Sequence, residues 1–125
     1  DYKTGGVPKT PENIAQLFTP AEGRPNYIFQ TFLYAAILCR KQTKKVAPAL
    51  LYIHRAAQDT YSPVIEMGPA RQPKLPVNNF GFHEDEFRER LQRLLEEVFS
   101  LSTPFSQTDQ TRQCEYCDFR RLCRR

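Results

Sequence analysis

The 125-residue chain contains no run of about eighteen apolar residues, so no transmembrane helix is expected. No basic-then-apolar leader with a small-residue cleavage site stands at its start. The chain is therefore read as soluble and cytoplasmic, with no membrane partner. No internal repeat is found, and the length suits one domain rather than two. Histidine is scarce, with two in the chain. His54 ends an apolar run and is read as a strand residue at a sheet end, not as a ligand. Outside the C-terminal tail the only cysteine is Cys39, on a predicted helix, read as a small buried residue.

Hydrophobic residues make up 40%, enough for a folded core, and the net charge of +4 with a pI of about 9.0 is compatible with a polyanionic partner. The charge is unevenly placed. Residues 83–99 carry six acids against three arginines, and residues 112–125 carry five arginines against two acids. Arg40, Lys41, Lys44 and Lys45 form a further basic cluster at the end of a predicted element, where they would line a groove.

Residues 7–26 hold Pro8, Pro11, Pro20, Pro25 and Gly23. They read as a long loop with one helical turn around 12–18, from which Lys9 or Arg24 would meet a substrate. Residues 27–41 read as a well-buried helix, apolar on most sides, with Asn26 as N-cap and Arg40–Lys41 at its C-terminal end. Residues 49–55 and 61–67 read as two strands of a hairpin, the second at an edge because of Pro63. Residues 68–82 read as loop. Residues 83–99 read as a helix with Phe87, Leu91, Leu94, Leu95 and Val98 on one apolar face and acids in the first turn.

Asp1-Tyr2-Lys3-Thr4-Gly5 carries the chemistry. In a strand Asp1 and Lys3 point to one face and Tyr2 into the other layer. A carboxylate holds a divalent metal by oxygen. A lysine two positions along reaches the same phosphate or its attacking water. Gly5 and Gly6 then let the chain leave the strand. Gln30 and Tyr34, four apart, share a helix face.

Cys114, Cys117 and Cys123 form C-x2-C-x5-C, followed by two arginines. A disulfide is disfavoured without a secretory leader. A redox C-x-x-C opens a helix after an early strand, whereas this one ends the chain. Metal or cluster ligation is the best reading. Structural Zn2+ and an iron–sulfur cluster both call for four ligands, so the site is one short within these residues.

Taken in order, D-Y-K-T-G, Q-x3-Y and the cysteine tail are similar to the C-terminal part of the PD-(D/E)xK nuclease superfamily. The similarity is to its RecB-like branch, which includes the AddB-type and Cas4-type nucleases. The resemblance implies an α/β, restriction-endonuclease-like core over 1–111, with a Cys-rich tail of the same domain over 112–125. It implies that Asp1 binds Mg2+ or Mn2+, that Lys3 positions or activates the attacking water, and that Gln30 and Tyr34 border the active site and contact substrate. It also implies that Cys114, Cys117 and Cys123 are three of four ligands to a [4Fe-4S] cluster, with Zn2+ as the alternative.

In the family a strand with another metal-binding Asp, a helix with an acid or His, and the first cluster cysteine precede D-x-K. The chain therefore resembles the second half of such a domain. Alone it is expected to be inactive, with the α-amino charge of Asp1 working against a bound cation, and prone to self-association through exposed sheet edges. The implied function is metal-dependent hydrolysis of DNA in repair or recombination. The implied partners are DNA, single-stranded or with ends, and a helicase subunit or domain. Arg40, Lys44 and Lys45 would hold the backbone. The rival reading is a non-catalytic nucleic-acid-binding module with a structural zinc or iron–sulfur tail.

Overall fold

The computed structural model describes residues 1–41, 45–109 and 111–124. Strand β1, Tyr2–Lys3, opens it. The proline-rich segment follows and contains the short helix α1, Ala15–Phe18. Helix α2 spans Asn26–Lys41 and delivers the chain to β2, Leu51–Tyr52. Strands β1 and β2 pair in parallel, Tyr2 opposite Leu51 and Lys3 opposite Tyr52. Parallel neighbours need a long crossover, and here α1 and α2 supply it. The chain then forms β3, Glu66–Met67, and β4, Leu75–Pro76, which pair antiparallel. Helix α3, Glu84–Val98, follows. Among the described residues no helix is long and apolar enough to cross a membrane.

The core is aromatic. Phe87 of α3 is fully buried and its ring meets Phe18 of α1 at 5.2 Å, Phe29 and Phe32 of α2 at 5.7 and 6.1 Å, and Phe80 at 5.7 Å. Phe80 belongs to a 3-10 turn, Phe80–Phe82, and also packs on Phe32 at 5.2 Å. One cluster therefore joins three helices and the loop before α3.

Both long helices fall within one residue of their predicted limits, but less of each is buried than the sequence suggests. In α2 the buried residues are Ile28, Thr31, Phe32 and Ala35, while Tyr34, Ile37 and Leu38 are nearly half exposed. The aromatic cluster engages one side of the helix only. Asn26 is the first helical residue, not the N-cap. Pro25 precedes it and its carbonyl accepts from Ile28 and Phe29, while the Asn26 side chain accepts from Arg24 Nε. In α3 only Phe87 of the apolar face is buried, with Leu91 packed beside it, and Leu95 and Val98 are exposed. The first-turn acids are as expected, and Asp85, Glu86 and Glu89 pair with Arg88, Arg90 and Arg93. Such surface pairs contribute about 0.4 kcal/mol each.

The strands are shorter than predicted. Past Tyr52 the chain turns into a 3-10 helix, Ile53–Arg55, which carries the exposed His54. Two causes act on β2. Its partner β1 ends at Lys3, and Gly6 (φ +86) bends the chain away. On its other side the Tyr61 hydroxyl accepts from Tyr52 N–H at 2.8 Å and donates to Leu50 C=O at 2.7 Å, in place of a strand. The expected hairpin survives as one antiparallel bridge, Ala49–Val64, with Leu50 N–H on Pro63 C=O. Instead β3 pairs with β4, inside a segment that reads as loop. Pro69, Pro73 and Pro76 mask that strand in the sequence, and the Lys74 ammonium closes the turn on the carbonyls of Gly68 and Pro69. Tyr2 is 74% exposed and enters no second layer among the described residues.

Tyr61→Phe removes both hydrogen bonds of that hydroxyl and leaves a strand N–H unpaired. The variant should lose about 2 kcal/mol in urea denaturation with an unchanged slope. A loss under half a kilocalorie would mean that solvent satisfies β2 unaided.

Candidate active site

The parallel register sets Asp1 and Lys3 on one side of β1, and α2 lies across that side. The Lys3 ammonium has three neighbours. It pairs with Asp1 Oδ2 at 2.8 Å, donates to Gln30 Oε1 at 2.8 Å and sits 4.3 Å from the centre of the Tyr27 ring. Gln30 Nε2 in turn donates to the Tyr34 hydroxyl at 2.8 Å. All four residues singled out by the sequence motifs thus form one chain of contacts, Asp1–Lys3–Gln30–Tyr34. The Asp1 and Lys3 side chains are 23% and 14% exposed, sheltered enough for their charges to act strongly while open to a substrate.

Asp1 is held on two sides. Its Oδ1 accepts from Tyr2 N–H at 2.9 Å, its α-amino group donates to Ala49 C=O at 3.0 Å, and its carbonyl accepts from Leu51 N–H. The α-amino group is thus engaged with the chain just before β2. A carboxylate has about four lone-pair positions, so Asp1 keeps room for a cation beside Lys3 and Tyr2 N–H. One hard oxygen ligand fits Mg2+ or Mn2+, which complete their shells with water and phosphate. It does not make a full site. Among the described residues no group of three His, Cys, Asp or Glu is placed to hold a metal ion.

Tyr27 is the residue that the motifs miss. It lies three positions before Gln30 and seven before Tyr34, on the same helix face, and that spacing was a signal available in the sequence. Its ring supports the Lys3 ammonium by cation–π attraction. It also lies 3.0 Å from where a Cβ on Gly6 would stand. Gly6 is therefore fixed twice, by its positive φ and by Tyr27. Behind Tyr27, 6.4 Å away, the Tyr52 ring is buried. Burial, then Tyr61 and Tyr27, push its phenol above the ordinary tyrosine range and keep it neutral.

The basic cluster lies elsewhere. Arg40 is ten residues beyond Gln30 on α2, about 15 Å along the axis, and borders a small cavity with Glu84 and Arg88. Lys45 is exposed, and Lys44 lies outside the described residues.

The cysteines do not gather. Cys114 closes a 3-10 turn, Thr111–Cys114, Cys117 lies one turn on with its N–H on Cys114 C=O, and Cys123 N–H bonds Phe119 C=O. Each thiol sits on its own turn, and all are free, as is Cys39. The expected cluster or zinc site is thus not assembled among the described residues. The tail is tied back by Arg112, which pairs with Glu22 at 2.6 Å. Burial, then Glu84, raise the Cys39 thiol above its ordinary range. Iodoacetamide at pH 8 should label exposed Cys117 well before Cys39 by peptide mass mapping, with the gap narrowing as pH rises. Cys39 is half-buried rather than buried as the sequence suggests, and equal rates at pH 8 would contradict even that shelter.

The Asp-x-Lys pair at the start of β1 and the glutamine and tyrosine one helical turn apart on α2 thus stand together, as the motifs require. The family comparison agrees over residues 1–124, and the chain belongs to the PD-(D/E)XK nuclease superfamily. Its helices and small sheets are consistent with the α/β class of that domain, and its members are in general nucleases that usually use Mg2+ or Mn2+. No curated protein and no solved structure matches the chain.

Proposed function

We propose that this chain carries part of the active site of a metal-dependent deoxyribonuclease of the RecB-like kind, acting on DNA ends in repair or recombination. The observation that supports it most is the Lys3 ammonium, held between Asp1, Gln30 and the Tyr27 ring. Asp1 would hold the metal, which when bound neutralises phosphate charge and makes water a better nucleophile at neutral pH. Lys3 orients that water by hydrogen bonding and offsets charge developing on the phosphate oxygens. Gln30 fixes the ammonium by accepting one of its three N–H bonds, and Tyr34 fixes Gln30. Because Asp1 is the one acid paired with Lys3 among the described residues, the reading includes a further acid ligand beside it.

The test is cleavage of linear and circular single-stranded DNA with Mg2+, Mn2+ or EDTA. It is made on the 125-residue chain and on any longer form in which residues precede Asp1. The chain alone should not cut, and the longer form should cut linear DNA with either metal. Cutting of circles at the same rate would exclude the end-dependent reading. A second reading, a DNA-holding module without catalysis, is favoured by the mutual pairing of Asp1 and Lys3 without a three-ligand metal group. DNA binding without cleavage by any form, with either metal, would establish it.

A further inference from the structure

A cavity of about 270 Å3 opens directly beside the Lys3 site, bounded by Gly6, Lys9, Arg24, Asn26, Tyr27 and Tyr52 among others. Tyr27 belongs to both, because its ring lines the cavity and supports the Lys3 ammonium. Among the described residues no carboxylate lines it. A neighbouring cavity shares Lys9, Arg24 and Asn26 and is likewise free of acids.

The cations shared by the two cavities are Lys9 and Arg24. Lys3, Arg88, Arg90, Arg93 and Arg112 each pair with a carboxylate. Among the described residues Lys9 and Arg24 pair with none. They are nevertheless held in place. The Lys9 ammonium donates to Gly23 C=O at 2.5 Å, in a turn where Gly23 takes a positive φ of +76. Arg24 Nε donates to Asn26 Oδ1 at 2.8 Å, and its guanidinium lies 6.0 Å from the centre of the Phe29 ring. Each keeps further N–H donors, since an ammonium has three and a guanidinium five. Two positioned, unneutralised cations on one acid-free cavity make a preorganised anion site.

The charge count selects the anion. A phosphodiester carries one negative charge, whereas a phosphomonoester carries about 1.5 to 2 at pH 7. Tyr27, which is 41% exposed, adds aromatic surface against which a base or sugar packs. We infer that this cavity is a subsite for the phosphomonoester end of a single DNA strand, next to the bond that the Lys3 site cuts. The inference rests on the nuclease reading for its place in the reaction but not for the binding itself.

Binding is measured in EDTA by fluorescence anisotropy, which removes cleavage from the readout. The probes are short, internally labelled oligothymidylates with a 5′-phosphate, a 3′-phosphate, or hydroxyls at both ends. A phosphorylated probe should bind about tenfold tighter than the hydroxyl probe. Which phosphorylated probe gains tells which end the subsite takes. Lys9→Ala and Arg24→Ala should each erase the difference while leaving the hydroxyl probe within about twofold, and Lys9→Arg should retain it. Equal binding of the three probes would overturn the inference, as would variants that weaken all three by one factor. If end preference is present but no form of the protein cuts DNA, the nuclease reading fails and the subsite stands. If DNA is cut without end preference, the reverse holds.

Discussion

Lys3→Ala should lower DNA cleavage about a thousandfold in whichever form of the protein cuts, with DNA affinity changed less than tenfold. The ammonium is the one group in contact with Asp1, Gln30 and Tyr27 together. Truncation removes the positive charge nearest the position where a phosphate would meet Asp1. It also strips Gln30 Oε1 of its donor, so Gln30 and Tyr34 lose their fixed orientation. A ground-state binding role would give the opposite pattern, with affinity falling as far as rate. Lys3→Arg should not restore the rate, because a planar guanidinium does not reproduce a compact ammonium seated over the Tyr27 ring. Cleavage retained within tenfold in Lys3→Ala would remove Lys3 from the chemistry and the proposed mechanism with it.

The largest effect on stability is expected from Phe87→Ala, about 4 kcal/mol by urea denaturation. Phe87 is fully buried and touches four other rings, from α1, α2 and the turn before α3. Nothing nearby is placed to refill the space, because Phe18, Phe29, Phe32 and Phe80 are held by contacts with one another as well. Marginal stability of roughly 5 to 15 kcal/mol makes that loss severe. The site itself should respond through α2, whose opposite face carries Tyr27, Gln30 and Tyr34. Phe87→Leu keeps most of the volume and should lose about half as much. Equal, small losses in both variants would show that α3 adds little to the fold, contrary to its place in the core.

The two positions of the structure that matter most for chemistry were legible because each depends on a local period. Residues i and i+2 of a strand share a side, which places Lys3 beside Asp1. Residues i and i+4 of a helix share a face, which places Tyr34 beside Gln30. The limits of α2 and α3 were legible for the same reason. What strand alternation alone did not carry was pairing. Residues 61–67 read as a strand, yet hydrogen bonding is set by which backbone lies alongside. A tyrosine hydroxyl occupies that place at β2, while three prolines conceal β4.

By itself, then, the sequence determined the motifs, the two long helices and the superfamily, since these rest on residue types at short, fixed spacings. The tertiary structure alone decided that β1 and α2 meet so that one ammonium joins both motifs. It also decided that Tyr27 supports that ammonium and that Lys9 and Arg24 converge beside it. Lys9 and Arg24 are fifteen positions apart, and Lys3 and Gln30 twenty-seven. No backbone periodicity spans such distances, and only the packing of the loop and α2 against the strand pair brings those charges together.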